Sequence, residues 1–280
     1  MNNKPALQPI PELAKPILRW AGSKRKIVPI LKDYWSDNNS TYIEPFAGSA
    51  QLFFAISPEN AILGDTNSEL IDLYKDIKTD YEELYDLIKK FEPTKFEYYK
   101  LRSKKISELT QLERSARLLC LNRFCFNGLY RTNKKGEFNV PFTNGRNGQL
   151  PTLKELRDVS NALINVELSN DDFEKLIKEN VKKNDFVYLD PPYAISNSKI
   201  FTQYGPHSFG TNDIERMKTT LDFINAKGGN FLLSYAKCKE SEYLAKEWNS
   251  SSIIIQRNIA GFSAHRKIES ELLITNLSIK

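Results

Sequence analysis

The chain has little with which to build a disulfide framework, hold a soft metal or cross a membrane. Its three cysteines, Cys120, Cys125 and Cys238, include no CxxC pair, and His207 and His265 are the only histidines. Neither a thiol-paired scaffold nor a zinc cluster is therefore expected. No apolar run approaches the roughly 20 residues that a membrane-spanning helix requires. The stretch MNNKPALQPIPELAKP has no continuous apolar segment behind basic residues, so it reads as a proline-punctuated lead-in and not as a signal peptide, and the cytoplasm is the expected compartment. GxGxxG and GxxxxGKS/T are both missing, which removes support for a dinucleotide fingerprint and for nucleoside triphosphate hydrolysis. Internal repeats and low-complexity tracts are absent as well.

What is there suits one sizeable domain, or one domain carrying an inserted module, since 280 residues can bury a large core. The net charge of +5 is modest but unevenly spread. Lys15, Arg19, Lys24, Arg25, Lys26 and Lys32 follow one another with no acid between Lys15 and Lys32, and Arg123, Arg131, Lys134, Lys135 and Arg146 face only Glu137 between 122 and 146. Both segments suit phosphate; taken alone, each equally suits a solvated basic face.

The order of elements is that of an interrupted α/β domain. TYIEPFAGSA reads as a short strand entering a glycine-containing turn, QLFFAI as the start of a helix, and AILGD as a second strand ending at Asp65. From Ser68 the pattern turns helical: Leu70, Ile71, Tyr74 and Ile77, then Leu84, Leu87, Ile88 and Phe91, recur at helical spacing, and a further helix covers 112–124. GLYRTNKKGEFNVPF alternates Phe138, Val140 and Phe142 around a turn at 133–136, the pattern of a β-hairpin. After Pro151 strands are expected at 165–168, 186–189, 230–234, 252–256 and 272–275, with a helix at 213–227 capped by Asn212 and stopped by Gly228. The expected fold is a doubly wound sheet interrupted between about 68 and 152 by a helical module that carries a hairpin. Such sheets bind ligands beyond the carboxyl ends of their strands.

Two strand ends draw attention at that edge. Gly48, after the first strand, permits a tight turn and close approach of a ligand because it has no Cβ; a plain strand-to-helix turn explains it equally well alone. Asp65, seventeen positions on, ends the next strand, where a carboxylate can accept hydrogen bonds from ribose hydroxyls. The second end is DFVYLDPPYA, 185–194. Asp190 supplies an acceptor, while Pro191 lacks an N–H and Pro192 keeps Pro191 out of the helical region, so the loop is stiff and its carbonyls point in fixed directions. One carboxylate and one carbonyl form a two-point acceptor for an NH₂ group, and Tyr193 offers a flat face for stacking a ring. An exocyclic amine on a planar ring fits that set better than a purely structural Pro-Pro turn does.

These motifs together resemble an adenine-specific DNA methyltransferase of the Dam type over nearly the whole chain, in the motif order of the alpha class. KPILRWAGSKRKI is similar to the family's amino-terminal motif, YIEPFAGSA to its cofactor motif, GDTNSELI to its acidic ribose motif, NRFCFNGLYRTNKKGEFNVPF to its recognition hairpin and DPPY to its catalytic motif. Ser23 stands where the family's Gly-Gly-Lys has its second glycine, and Phe126 where many members have tyrosine or asparagine. The resemblance implies a Rossmann-like methyltransferase sheet formed by 1–67 and 153–280, with a helical target-recognition domain inserted at 68–152. It also implies S-adenosylmethionine as methyl donor. Trp20 and Lys24 would contact the donor, Lys24 near its carboxylate; Phe46 and Gly48 would line the pocket, Asp65 would bind the ribose, and Asp172 and Phe173 would edge the adenine. Plain core packing is the rival reading for Trp20 and Phe46.

The expected reaction is transfer of a methyl group to N6 of an adenine flipped out of duplex DNA, with Asp190, Pro191, Pro192 and Tyr193 as the catalytic set, Asp190 also bordering the cofactor, and no metal. Phe126, Asn127, Leu129, Arg131 and Pro141 are the expected DNA contacts. Arg131 suits a guanine, Leu129 and Pro141 a thymine methyl, and together they lean toward GATC; a phosphate contact is the alternative for Arg131. Double-stranded DNA is the expected partner, with no membrane and no obligate protein partner. Two other functions compete: methylation of another planar amine, cytosine N4 or a protein glutamine, and DNA binding by a regulator that has lost catalysis.

Overall fold

Four apolar runs form the parallel centre of a sheet: β1 (Tyr42–Glu44), β2 (Ala61–Gly64), β4 (Phe186–Leu189) and β5 (Asn230–Ala236). They are continuous and not alternating because both faces of the sheet are covered. Tyr42, Phe186, Tyr188, Leu232 and Leu273 enter one core, while Ile43, Val187, Leu189, Leu233 and Ile274 enter the core on the opposite side. With β3 (Val166–Ser169), β6 (Asn249–Asn258) and β7 (Arg266–Thr275), a computed structural model gives a seven-stranded sheet in the order β3-β2-β1-β4-β5-β7-β6. It describes residues 13–133, 135–143, 148–192, 209–258 and 266–278, with side chains left out at 255–258 and 266–269.

The strands from β3 to β5 are parallel, and β7 runs antiparallel to both β5 and β6. The chain moves from β1 outward through β2 and β3, then returns to the other side of β1 for β4. That reversal opens a crevice beyond the carboxyl ends of β1 and β4. The doubly wound sheet anticipated from the sequence is thus present, and both Gly48 and Asp190 follow the strands that flank its switch point.

Between β2 and β3 no strand joins the sheet among the described residues. This stretch contains α3 (Ser68–Ile88), α4 (Lys95–Ser103), α5 (Gln111–Phe124) and α6 (Leu153–Ala162), while α1 (Val28–Lys32) and α2 (Gln51–Ile56) precede it. Thr110 with Glu113, and Thr152 with Glu155, form reciprocal capping boxes that start α5 and α6, each cap worth about 1 kcal/mol. Leu70, Leu73, Tyr74 and Ile77 of α3 lie in the main core beneath the sheet. Asp76 ties α3 to α5, accepting from Ser115 Oγ at 2.5 Å and Gln111 Nε2 at 2.7 Å. By contrast, Tyr98, Leu121, Phe124, Cys125, Phe138 and Val140 form a small core of their own under the hairpin.

Three sequence expectations change. The helix before β5, α8, spans Thr211–Ala226, so Asn212 lies inside it and Gly210 is the N-cap. The reason is Asp213, whose carboxylate reaches back to the Gly210 N–H at 2.9 Å and sets the start two residues earlier. Gly228, at φ +74°, does end the helix. The last two strands are longer than their apolar segments, because β6 and β7 pair with each other over ten residues from Asn249↔Thr275 to Asn258↔Arg266. An edge ribbon needs no apolar alternation along its whole length. Finally, among the described residues the hairpin keeps only isolated antiparallel bridges, Cys125↔Phe142 and Thr132↔Phe138, in place of two strands. Pro141 cannot donate to a ladder, and Asn127 and Gly128 turn at φ +56° and +64°, so the arms meet at points. Lys134, within its turn, and Arg146 lie outside the described residues, as do His207 and His265.

Candidate active site

The turn after β1 is built around Gly48. Its φ is +48°, and a Cβ there would stand 2.8 Å from Trp20 Cδ1, so a side chain is excluded by conformation and by space. Gly48 N–H donates to Asp65 Oδ2 at 3.1 Å, and its carbonyl accepts from the buried Tyr74 hydroxyl at 2.9 Å. Asp65 Oδ1 accepts from Asn67 N–H at 2.9 Å. The carboxylate after β2 therefore holds the turn after β1, joining the two proposed cofactor motifs. Burial pushes the Asp65 carboxyl up to about 6, with the two backbone N–H bonds opposing that rise. Four lone-pair directions on a carboxylate exceed the two bonds made here, so the group can also accept from a diol.

Aromatic side chains flank the turn. Trp20 stacks on Tyr130 with ring centroids 5.6 Å apart, and the Tyr130 hydroxyl donates to Glu69 Oε2 at 2.9 Å. Phe46 is half-buried and packs 5.3 Å from Phe173 and 6.2 Å from Phe209. Phe173 itself is buried at the start of α7 (Phe173–Asn180), under the Arg216 guanidinium at 4.7 Å. Asp172 caps that helix through Glu174 N–H at 3.0 Å and pairs with Arg216. Both residues have evident structural tasks, and Phe46 is the ring that links them to the crevice.

A chain of polar groups lies under the second strand end. Asp190 Oδ1 meets Lys24 Nζ at 3.0 Å and Ser234 Oγ at 3.4 Å. Ser234 Oγ in turn shares a 3.1 Å hydrogen bond with the Tyr188 hydroxyl. The same Lys24 ammonium meets Glu271 Oε1 at 2.9 Å. Lys24 is 5% exposed and Glu271 1%, whereas the Asp190 side chain is 21% exposed toward the crevice. On the neighbouring strand Glu44, also buried, accepts from Tyr42 at 2.8 Å; burial pushes its carboxyl well above the carboxylate range, and the Asp190 charge adds to that. Pro191 is buried and Pro192 half-buried. Tyr193 lies outside the described residues.

The expected DNA-contact residues gather on the hairpin. Phe126 is 43% exposed, and its N–H donates to the Pro141 carbonyl at 2.9 Å, which brings Phe126, Asn127 and Pro141 to one place. Asn127, Arg131 and Pro141 are exposed, while Leu129 is half-buried against the hairpin core. Arg131 Nε donates to Asn139 Oδ1 at 2.6 Å across the hairpin arms.

Sequence reading did not find Glu271, Ser234, Glu44 or Tyr130. Each is a polar or amphipathic residue inside an apolar strand or arm, and that interruption is the signal available; which strand it faces depends on register. Among the described residues no group of three or more His, Cys, Asp or Glu is placed to hold a metal ion, and no helix is long and apolar enough to cross a membrane.

The crevice thus combines a Cβ-free turn at Gly48, the Asp65 carboxylate and an aromatic flank of Trp20 and Phe46. Residues 20–259 match the family described as D12 class N6 adenine-specific DNA methyltransferase. The chain is 33% identical over 271 residues to the Type II methyltransferase M1.LlaDCHI of Lactococcus lactis subsp. cremoris, covering 94% of this chain and 95% of that one. It is 36% identical to the Type II methyltransferase M.MjaIII of Methanocaldococcus jannaschii over 79% and 83% of the two chains. It is also 33% identical to the DNA adenine methylase of Haemophilus influenzae over 70% of each.

Proposed function

The chain belongs to the D12 class of N6 adenine-specific DNA methyltransferases, and from that premise we propose that it methylates N6 of an adenine swung out of duplex DNA, with S-adenosylmethionine as donor. Its seven-stranded sheet is consistent with a fold of that cofactor class. The observation that carries the reading is Asp190, held at the carboxyl end of β4 in the switch-point crevice and followed by Pro191 and Pro192.

Bound donor supplies a methyl group on a sulfonium, already a strong electrophile. The adenine amine is the weak partner, because its lone pair is spread into the ring. Asp190 and the Pro191 carbonyl accept its two N–H bonds, which localises the lone pair and aims it at the methyl carbon. The N–C bond forms as the C–S bond breaks, the electron pair goes to sulfur, and the nitrogen gives up one proton after transfer. Tyr193 stacks on the extruded ring. Trp20, Phe46 and Gly48 shape the donor pocket, Asp65 accepts from the ribose, and Asp172 and Phe173 border the adenine of the donor through Phe46. Lys24 meets the donor near its carboxylate and also holds Asp190.

Residues 1–67 and 153–280 form the catalytic part and 68–152 the target-recognition part, anchored on the main core by α3. Phe126 and Asn127 replace the extruded base, offsetting a flipping cost of a few kcal/mol. Arg131 reads guanine, Leu129 and Pro141 meet a thymine methyl, and the site is GATC. The enzyme works in the cytoplasm on double-stranded DNA. Methylation-sensitive sequencing of DNA from cells expressing the chain, with N6-methyladenine and N4-methylcytosine separated after digestion, is expected to show N6-methyladenine at GATC. N4-methylcytosine or a different site would sink the corresponding part of the reading.

A further inference from the structure

We infer that Glu271 is a positioning residue for Asp190, acting through Lys24. The inference rests on the reading of Asp190 given above. Glu271 belongs to β7, where it pairs with Ala236 of β5, and Ser234 pairs with Leu273. Side chains two apart on a strand share a face, so Glu271, Leu273 and Ser234 look to the same side of the sheet. Tyr188 and Asp190, extending β4 beside β5, look that way too. The face is apolar beneath this level, with Leu232, Leu273 and Phe186 in the core. At its carboxyl end it becomes a ladder of polar groups: Tyr188, Ser234, Asp190, Lys24 and Glu271.

The ammonium of Lys24 bridges two carboxylates at 3.0 and 2.9 Å. A lysine stem has four rotatable carbons, and a single exposed partner would hold it loosely. A second carboxylate, buried and rooted in a strand, fixes Nζ from behind. Nζ together with Ser234 Oγ then fixes Asp190 Oδ1, and with one oxygen held the plane of the carboxylate is set. The charge arithmetic matters as much as the geometry. One ammonium shared by two carboxylates leaves Asp190 a stronger acceptor toward the amine than one ammonium paired with Asp190 alone. A buried pair of this kind contributes little to stability compared with an apolar filling of the same volume, so stability gives no reason for placing Glu271 there; orienting and charging Asp190 does.

The test uses the full chain with saturating S-adenosylmethionine and duplex DNA, and reads the single-turnover rate of methyl transfer apart from the two dissociation constants and the thermal midpoint. Glu271→Gln keeps the volume and an acceptor but removes the charge; it is expected to slow transfer by about tenfold, since small misplacement of reacting groups is costly in rate. Both dissociation constants should stay within about twofold. Glu271→Asp, which restores the charge, should recover part of the rate, and it also serves if the glutamine variant is recovered unfolded. Lys24→Met should slow transfer at saturating donor as well, with any loss of donor affinity read separately because Lys24 is also an expected donor contact. A wild-type rate for Glu271→Gln, a loss confined to binding or stability, or failure of aspartate to recover more than glutamine would overturn the inference. Asp190→Ala distinguishes the two levels: retained transfer there removes the reading of Asp190 itself, whereas an inactive Asp190→Ala beside a fully active Glu271→Gln removes only the role of Glu271.

Discussion

At the switch-point edge of the sheet, each site residue is held by buried groups: the Gly48 backbone by Tyr74, with the half-buried Asp65 beside it, and Asp190 by Lys24 and Ser234. At the hairpin, Phe126, Asn127, Arg131 and Pro141 are exposed, and among the described residues the arms join through the isolated bridges Cys125↔Phe142 and Thr132↔Phe138 and a few hydrogen bonds such as Arg131 to Asn139. The first region rests on parallel strands paired on both sides, the second on six buried residues and a few backbone bonds. On the proposed reading, chemistry that must place an amine to within a fraction of an ångström is put on rigid elements, and recognition, which must fit itself to a groove, where the backbone has fewer internal partners and side chains face outward.

The contrast predicts which variants lose rate and which lose selectivity. The largest effect is expected at the rigid edge: Asp190→Ala should lower single-turnover methyl transfer by about a thousandfold or more while leaving donor and DNA binding near wild type. Substantial residual transfer would place the orienting role elsewhere. At the hairpin, Arg131→Ala should leave transfer intact and relax discrimination at one base pair by roughly 1–3 kcal/mol, read as competition between GATC and single-substituted duplexes. A uniform loss of affinity, together with a smaller salt slope, would make Arg131 a phosphate contact instead. The mildest effect concerns pH. The Asp65 carboxyl, raised to about 6 by burial, is an anion above that value and protonated below it. Acceptance from ribose hydroxyls selects the anion, so donor affinity should be flat above pH 7 and should weaken as pH falls through 6, by up to roughly tenfold per unit. Titration calorimetry across pH 5–8 checks this, and Asp65→Asn should flatten the profile.

Much of the rigid region was legible beforehand, because its signals are local. FVYL is a run buried on both faces, and its observed limits, Phe186 and Leu189, are those expected from pattern alone. Gly48 and Asp190 announce strand ends by residue type. Partnership across strands was not legible: Glu271 sits in IESELLIT with nothing nearby to connect it to Lys24, 247 positions away. Only register brings it beside Ser234. The hairpin failed in the opposite sense. Phe138, Val140 and Phe142 alternate as in a strand and do bury one side, with Phe138 and Val140 in the small core. Yet Pro141 and the positive-φ pair Asn127 and Gly128 interrupt the ladder that alternation implies. Asn212 is a lesser case, an adequate cap overruled by a carboxylate one residue further on.

Trp20 deserves a final consequence. Its indole lies against Gly48 on one side and stacks on Tyr130 of the hairpin on the other, and Tyr130 is tied to Glu69 at the head of α3. That stack is a seam between the turn after β1 and the hairpin. On the proposed reading, exchanging residues outside it, such as Arg131, Lys135 and Glu137 on the exposed tip, is expected to change the bases read without disturbing the donor pocket, whereas exchanging Tyr130 is expected to disturb it. A recognition segment grafted from a relative into this chain will therefore need to carry an aromatic ring at that one position, whatever sequence it reads.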